Sequence, residues 1–434
     1  MGLKSFLTPS KETVLQAIFR SSFLNLLSRV FGYLKQVTIA VLIGFNINTD
    51  AFFLAMGLLG LFLTFVDVFD SLGVPNLVRA RQKSFKEFRN LAAVLLTFTT
   101  ALAVTITLLA LLLSPIVVNI AFGYNEGEKQ LLKEYFMLLT PYLFFSFFFH
   151  HFGAIYRSLR HFTVYFFGEF LFAFFSFLFT FLGLLFTKNP KVLPIAVSLS
   201  QFLATFYILF VSKPYWEIKF YLDKTVKSML KQFIQLLGVY AVFHIYTLVD
   251  RTFASYLPHK SISALTYGWM VAMIPRGLFK FEHIVITSLS EVNAKWEKIK
   301  FYTLRISLFT LPFVVFIFVF APYIVKLLFG YGTFSVLDIK LTTTATKFYV
   351  LSLPFVFLWA IFYRIFQIKE KIYWVVPIIG LTSILNGLLN YFFIFKFNLA
   401  LEGICIATLI AYLVLTFLSF TLLKFLINKE GNYG

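Results

Sequence analysis

Residues 114–124 read Ser-Pro-Ile-Val-Val-Asn-Ile-Ala-Phe-Gly-Tyr, and residues 321–331 read Ala-Pro-Tyr-Ile-Val-Lys-Leu-Leu-Phe-Gly-Tyr. Pro115 matches Pro322, and Phe122-Gly123-Tyr124 matches Phe329-Gly330-Tyr331. Further on, Tyr156-Arg157 matches Tyr363-Arg364. Each pair is 207 positions apart (322 − 115 and 363 − 156), so the match is not a chance tripeptide. A repeat of about half the chain length, in a hydrophobic sequence, points to a two-lobed transporter.

Composition agrees. Of 434 residues, 60% are hydrophobic and 13% charged, too few polar groups to clothe a soluble protein of this size. Apolar stretches of about twenty residues recur, the length that spans a bilayer core of about 30 Å. Short strands of alternating polarity are missing, which disfavours a β-barrel. The single cysteine, Cys405, excludes an intramolecular disulfide. The N-terminal twenty residues have no signal-peptide pattern, so the first span is expected to act as the insertion signal.

The pattern predicts an all-α integral membrane fold of twelve helices. The first six lie near 22–43, 50–69, 90–120, 133–156, 162–186 and 193–212. The second six lie near 232–256, 262–288, 301–328, 342–366, 372–395 and 401–425. Six spans per half is an even number, so both halves enter the membrane in the same direction. That makes two lobes related by a parallel pseudo-two-fold repeat. The expected division is an N-terminal lobe 1–212, a basic linker 213–231 and a C-terminal lobe 232–434.

The net charge of +19 is not a nucleic-acid signature, because the cations sit in alternate loops. The loop after the second span carries Arg79, Arg81, Lys83, Lys86 and Arg89. The linker carries Lys213, Lys219, Lys224, Lys227 and Lys231, and the loop after the eighth span Lys295, Lys298 and Lys300. The intervening loops are poor in basic residues. Roughly 22 basic residues fall on one side and roughly 7 on the other, which predicts both termini in the cytoplasm.

Several segments resemble the MurJ (MviN) family of lipid II flippases, within the multidrug/oligosaccharidyl-lipid/polysaccharide exporter superfamily. They are Ser28-Arg29-Val30-Phe31-Gly32-Tyr33-Leu34-Lys35 and Thr49-Asp50-Ala51-Phe52-Phe53; then Val249-Asp250-Arg251-Thr252-Phe253-Ala254-Ser255, with Ser261 to Tyr267 and Pro275 to Phe279; then Leu328 to Phe334 with Leu341-Thr342. There are departures. Family members usually have fourteen spans. The polar and basic places after the eighth-span tyrosine are Trp269 and Met270, an arginine of the second span is Leu63, and a glycine-alanine motif is Asp67-Val68.

The resemblance implies a transporter, not an enzyme. It implies a bacterial inner-membrane protein that flips undecaprenyl-pyrophosphate-linked peptidoglycan precursor (lipid II) by alternating access. The membrane lipids are its surroundings, nucleic acid is not a partner, and a monomer is expected. Alternatives are a flippase for another polyprenyl-linked oligosaccharide of the O-antigen type, or an ion-coupled drug exporter. A membrane glycan ligase or polymerase is disfavoured by short outer loops. No Walker A motif is present, so the energy is expected from ion gradients or membrane potential.

Charges within spans mark candidate sites, because an ion at mid-bilayer costs at least about 2.5–3.5 kcal/mol. Arg29 and Lys35, about 120° apart on the first span, suit a broad cavity wall. With Asp50 they occupy positions that the resemblance makes functional, and Arg and Lys are the side chains that bind pyrophosphate. Alternatively, Lys35 snorkels to an interface and Asp50 caps a helix. Arg276 and Lys280, four apart on one face, are further substrate-binding candidates; alternatively, Arg276 lies near the cytoplasmic end.

Asp250, Asn386, Asn390 and Thr408 offer an all-oxygen set for a hard cation. One formal negative charge suits a monovalent ion, and the resemblance implies Na+ as a coupling ion. In the competing reading Arg251 neutralises Asp250 and the asparagines join helices. His150-His151 diverge by about 100° and make poor partners for one metal.

Overall fold

The computed structural model describes residues 14–279, 295–369 and 371–431. Among them every regular element is helical. That follows from the sequence: with no water in the bilayer core, long apolar segments must satisfy their backbone groups internally. In order the helices are α1 (Val14–Leu42), α2 (Ile47–Lys83), α3 (Phe85–Val117), α4 (Glu126–Ser158), α5 (Phe162–Thr187), α6 (Val192–Val211) and α7 (Lys224–Ala254). Then come α8 (Ser261–Ala272), α9 (Ile274–Leu278), α10 (Trp296–Phe329), α11 (Val336–Val350), α12 (Leu353–Ile368), α13 (Val375–Phe395) and α14 (Leu401–Gly431).

Nine of these (α2 to α7, α10, α13 and α14) are long and apolar enough to cross a membrane. The pair α11–α12, bent by 51°, makes a tenth. Helix α1 covers the first expected span, but Asn25, Arg29, Lys35 and Gln36 dilute its hydropathy. The eighth expected span, 262–288, begins with α8 and α9 and then leaves the described residues.

Three details differ from the sequence reading. Helix α2 runs on to Lys83 because Leu72, Leu77 and Ala80 continue its buried face. Arg79, Arg81 and Lys83 therefore sit on a helix end and not in a loop. The side chain of Ser84 then accepts from the Glu87 N–H at 3.0 Å and caps α3. The expected span 342–366 is two helices, broken at Leu351–Ser352 where Pro354 cannot supply the N–H that a continuous helix needs. The stretch 213–231 also contains the start of α7, capped by Asp223, whose carboxylate accepts from the Val226 N–H at 2.7 Å.

The chain forms two compact units. The first comprises Met1–Ile43, Ala55–Ile120 and Glu126–Tyr240; the second comprises Gly44–Leu54, Ala121–Asn125 and Ala241–Gly434. In the first unit α1 packs along α5, α4 along α6, α5 along α6, and α3 along α4. Phe88, Phe149, Phe152 and Tyr156 are at its centre. In the second unit α8 packs on α11, α10 on α11, α12 on α14, and α13 on α14.

The repeated Phe-Gly-Tyr has a local reason in each copy. Gly123 donates its N–H to Ser255 Oγ at 3.1 Å, and a Cβ there would lie 2.2 Å from the Ser255 carbonyl oxygen. Gly330 ends α10, its N–H donating to the Lys326 carbonyl at 2.8 Å.

Candidate functional site

Asp250 lies near the C-terminal end of α7, within an apolar stretch. Asn386 and Asn390 are one turn apart on α13 and so face the same way. Thr408 is on α14, which packs along α13. The four converge. Asn386 Nδ2 donates to Asp250 Oδ1 at 2.8 Å, Asn390 Nδ2 to the same oxygen at 3.0 Å, and Thr408 Oγ1 to Oδ2 at 2.5 Å. Both asparagines are fully buried. Arg251 does not complete this set: its Nη1 donates to the Phe53 carbonyl at 2.9 Å.

A cavity of about 130 Å³ adjoins the carboxylate, lined also by Tyr246, Trp269, Tyr349 and Tyr412. The Oδ1 atoms of Asn386 and Asn390 are buried without a hydrogen-bond partner. A buried acceptor left unpaired costs about 1–3 kcal/mol. The two ends of an amide are exchanged by a half-turn, so the same side chains can present oxygens where they now present N–H groups. The donor set therefore fits a monovalent cation: one carboxylate, two amide oxygens and a hydroxyl.

The substrate-binding candidates are distributed differently. Arg29 and Lys35 share α1 in the first unit. Arg29 is exposed and donates from Nε to Asn25 Oδ1 at 3.3 Å; Lys35 is half-buried. Asp50, in the second unit, is buried and fully engaged. Its Oδ2 accepts from the Lys260 N–H at 2.6 Å, and its Oδ1 accepts from the N–H and hydroxyl of Ser263 at 2.8 and 2.5 Å. It thus holds the N-terminus of α8, where a negative charge is favoured by the unpaired N–H groups and the helix dipole. The guanidinium of Arg276 lies 5.4 Å from the centre of the Phe357 ring. Lys280 lies outside the described residues.

Sequence reading missed two groups. Lys260 Nζ contacts Asp338 Oδ1 at 2.8 Å, and Asp338 closes a capping box with Ser335 on α11. In the first unit Arg157 pairs with Asp70, and His150 Nδ1 lies 3.4 Å from the same carboxylate. The charge of Asp70 inside an apolar stretch was a visible signal; its partners, some eighty residues away, were not.

The model of one protein family, "Lipid II flippase MurJ", matches residues 39–432. The chain belongs to the MurJ family. It is 27% identical to a probable lipid II flippase MurJ of Aquifex aeolicus (strain VF5), over 91% of this chain and 81% of the relative. It is 25% identical to the probable lipid II flippase MurJ of Buchnera aphidicola subsp. Schizaphis graminum, over 96% and 84%. Among solved structures, a lipid II flippase MurJ in an inward closed conformation shares the fold, with a TM-score of 0.79 at 21% identity, covering 93% of this chain and 87% of that one. An inward-facing multidrug resistance MATE family transporter has a TM-score of 0.77 at 17% identity, covering 95% and 98%. As a member of the MurJ family, this is a multi-pass membrane protein.

Proposed function

We propose that this chain flips lipid II across the bacterial inner membrane by alternating access. The observation that carries the reading is the family match, which runs through both units and nearly the whole chain. The chain works as a transporter and makes or breaks no bond in its cargo.

In this reading α1 and the α8–α9 segment join the ten apolar spans to make twelve, six per lobe. Internal symmetry supports it. In the first unit Thr205 Oγ1 donates to the Phe145 carbonyl at 3.1 Å, tying the sixth span to the fourth. In the second unit Thr416 Oγ1 donates to the Phe355 carbonyl at 3.2 Å, tying the twelfth to the tenth. Pro115 and Pro322 fall late in α3 and α10, the third and ninth spans. The loop charges, read with a parallel repeat, support a cytoplasmic position for both termini.

Arg29 and Lys35 serve the pyrophosphate, Arg as a fork and Lys as a point charge, with Arg276 and Lys280 as further cations. Asp50 positions the start of the eighth span. Asp250, Asn386, Asn390 and Thr408 hold a coupling cation, with sodium the ion of fitting charge and hardness. Such an ion would supply the positive charge that balances Asp250. A ligand there biases the lobes only by its difference in affinity for their two arrangements. Membrane potential adds about 2.3 kcal/mol per charge per 100 mV.

A second reading, an ion-coupled drug exporter, draws on the MATE-like fold and on Leu63, Trp269 and Met270 standing where the family usually has polar or basic residues. Complementation separates the two. A bacterium depleted of its own flippase should grow when it expresses this chain. Arg29→Ala should abolish rescue at unchanged membrane levels, and Arg29→Lys should restore part of it. A chain that inserts and exports drugs but never rescues growth would favour the second reading.

A further inference from the structure

The first unit carries a charged cluster that the flipping scheme leaves unused. Asp70 projects from α2, His150 and Arg157 from α4, and Tyr165 and Glu169 from α5. Arg157 pairs with Asp70 and lies over the Tyr165 ring, 4.3 Å from its centre. His150 Nδ1 lies 3.4 Å from the same Asp70 oxygen, within ion-pair distance, and this buried nitrogen makes no hydrogen bond. Glu169 is close enough to act electrostatically on His150, Arg157 and Tyr165. Asp67 on α2 borders the cluster through Tyr142, on which Glu169 also acts.

Several neighbouring elements meet these helices through uncharged groups, among them α7, whose Tyr240 hydroxyl meets Ser71 of α2. Helix α1 meets α5 through Phe31 against Phe170 and Phe174. Helix α3 presents Thr99 to the neighbouring His151, and α6 presents Tyr207 to Phe167.

The geometry constrains the imidazole. A lone pair on Nδ1 this close to a carboxylate oxygen is disfavoured, and a hydrogen there is favoured. The remaining nitrogen, Nε2, is then the site at which a proton can be gained. Around it, Asp70 and Glu169 carry two negative charges against the single positive charge of Arg157. A proton on Nε2 brings this group of four side chains to neutrality, and burial inside a lipid-facing lobe favours neutrality. Asp70, His150 and Arg157 keep 23%, 26% and 19% of their side-chain surface exposed, so the cluster is not sealed inside the unit.

We infer that His150, held between Asp70 and Glu169, is a proton-binding site of the first unit, separate from the cation set around Asp250. The proton is taken from water onto Nε2, leaving hydroxide or a deprotonated buffer behind, and no bond in the protein changes. Ionisable chains of Asp, Glu and His within spans are the usual carriers of protons in transporters. The inference needs the transport reading for its use, not for the existence of the site.

The test is nitrogen NMR on the full chain in lipid discs, with its six histidines isotopically labelled. His150→Gln assigns the signal by deleting it. In the unmodified protein that signal should show both ring nitrogens protonated at neutral pH. In Asp70→Asn, which keeps the shape of the pair, the ring should be neutral at the same pH. A His150 ring that is neutral in the unmodified protein at neutral pH, or equally protonated in both proteins, would overturn the inference. No substrate is used, so failure of the flippase reading cannot be mistaken for failure of the proton site.

Discussion

The two units each hold a partly buried aspartate among apolar helices, and they satisfy it in opposite ways. Asp250 in the second unit is ringed by neutral donors, two amides and a hydroxyl, and its neighbour Arg251 donates elsewhere. Asp70 in the first unit is paired directly with Arg157 and faced by His150. A carboxylate held by neutral donors, with the Arg251 charge nearby but hydrogen-bonded elsewhere, gives the surroundings that the proposed cation would need. A carboxylate already holding a guanidinium has no need of one, and the proposed proton on the adjacent imidazole would instead balance Glu169. Equal polarity in a sequence therefore supports different ligands, and the geometry of the partners decides which.

The largest effect that would break this contrast is loss of the fixed cation. Arg157→Met leaves Asp70 with only His150 beside it, and removal of one partner from this partly buried pair destabilises by less than the about 3–5 kcal/mol of a fully buried one. The melting temperature should fall by several degrees, and the double variant Asp70→Asn/Arg157→Met should recover most of the loss. A single variant as stable as the parent would show that the pair is not structural.

Next in size is the ligand effect at Asp250. Sodium should raise the melting temperature of the unmodified protein with concentration, by an amount equivalent to about 2.7 kcal/mol at a hundredfold excess over the dissociation constant. Asp250→Asn keeps the size of the side chain and removes its charge, so the sodium effect should vanish. Equal stabilisation of both proteins, or of neither, would leave the second unit without its cation site.

The smallest effect lies outside the spans and marks what an exposed pair contributes beside the two buried ones. Lys219 donates to Glu217, and the Arg89 charge adds to it, so the Glu217 carboxyl is held below the ordinary carboxylate value. The sign follows. The stability this contributes is complete above that ordinary value and is lost as pH falls through the lowered value in the folded protein. Glu217→Gln should therefore melt slightly lower than the parent at neutral pH, with the gap closing in acid. A gap that widens in acid would reverse the assignment.

Much of this was legible in the residues. Apolar length alone placed nine of the expected spans and the bent pair among the described residues, because lipid leaves the backbone few options. The set around Asp250 was legible because polar residues are scarce in those spans, and the spacing of Asn386 and Asn390 fixes a shared helix face. Other features were not. Asp50 reads as a cavity carboxylate or a helix cap until α8 is folded against it, since its partners, two backbone N–H groups and the Ser263 hydroxyl, lie more than two hundred residues away. The adjacent histidines read as diverging, and they do diverge, but their separate partners, Asp70 beside His150 and Thr99 beside His151, carry no signal in the spacing. The 51° break at Leu351–Ser352 was marked by Pro354, yet proline inside a span often leaves it continuous, as Pro141 does in α4.

The central claim is that this chain moves a lipid-linked head group across a bilayer. The purified protein should be reconstituted into sealed vesicles with lipid II labelled on its sugar. An enzyme confined outside, acting only on exposed head groups, then reports how much lipid II becomes accessible with time. The account predicts that nearly all of it does so with the unmodified protein, and only the initially outer fraction with Arg29→Ala. If the inner fraction stays protected in both, under an imposed membrane potential and a sodium gradient, the account is contradicted.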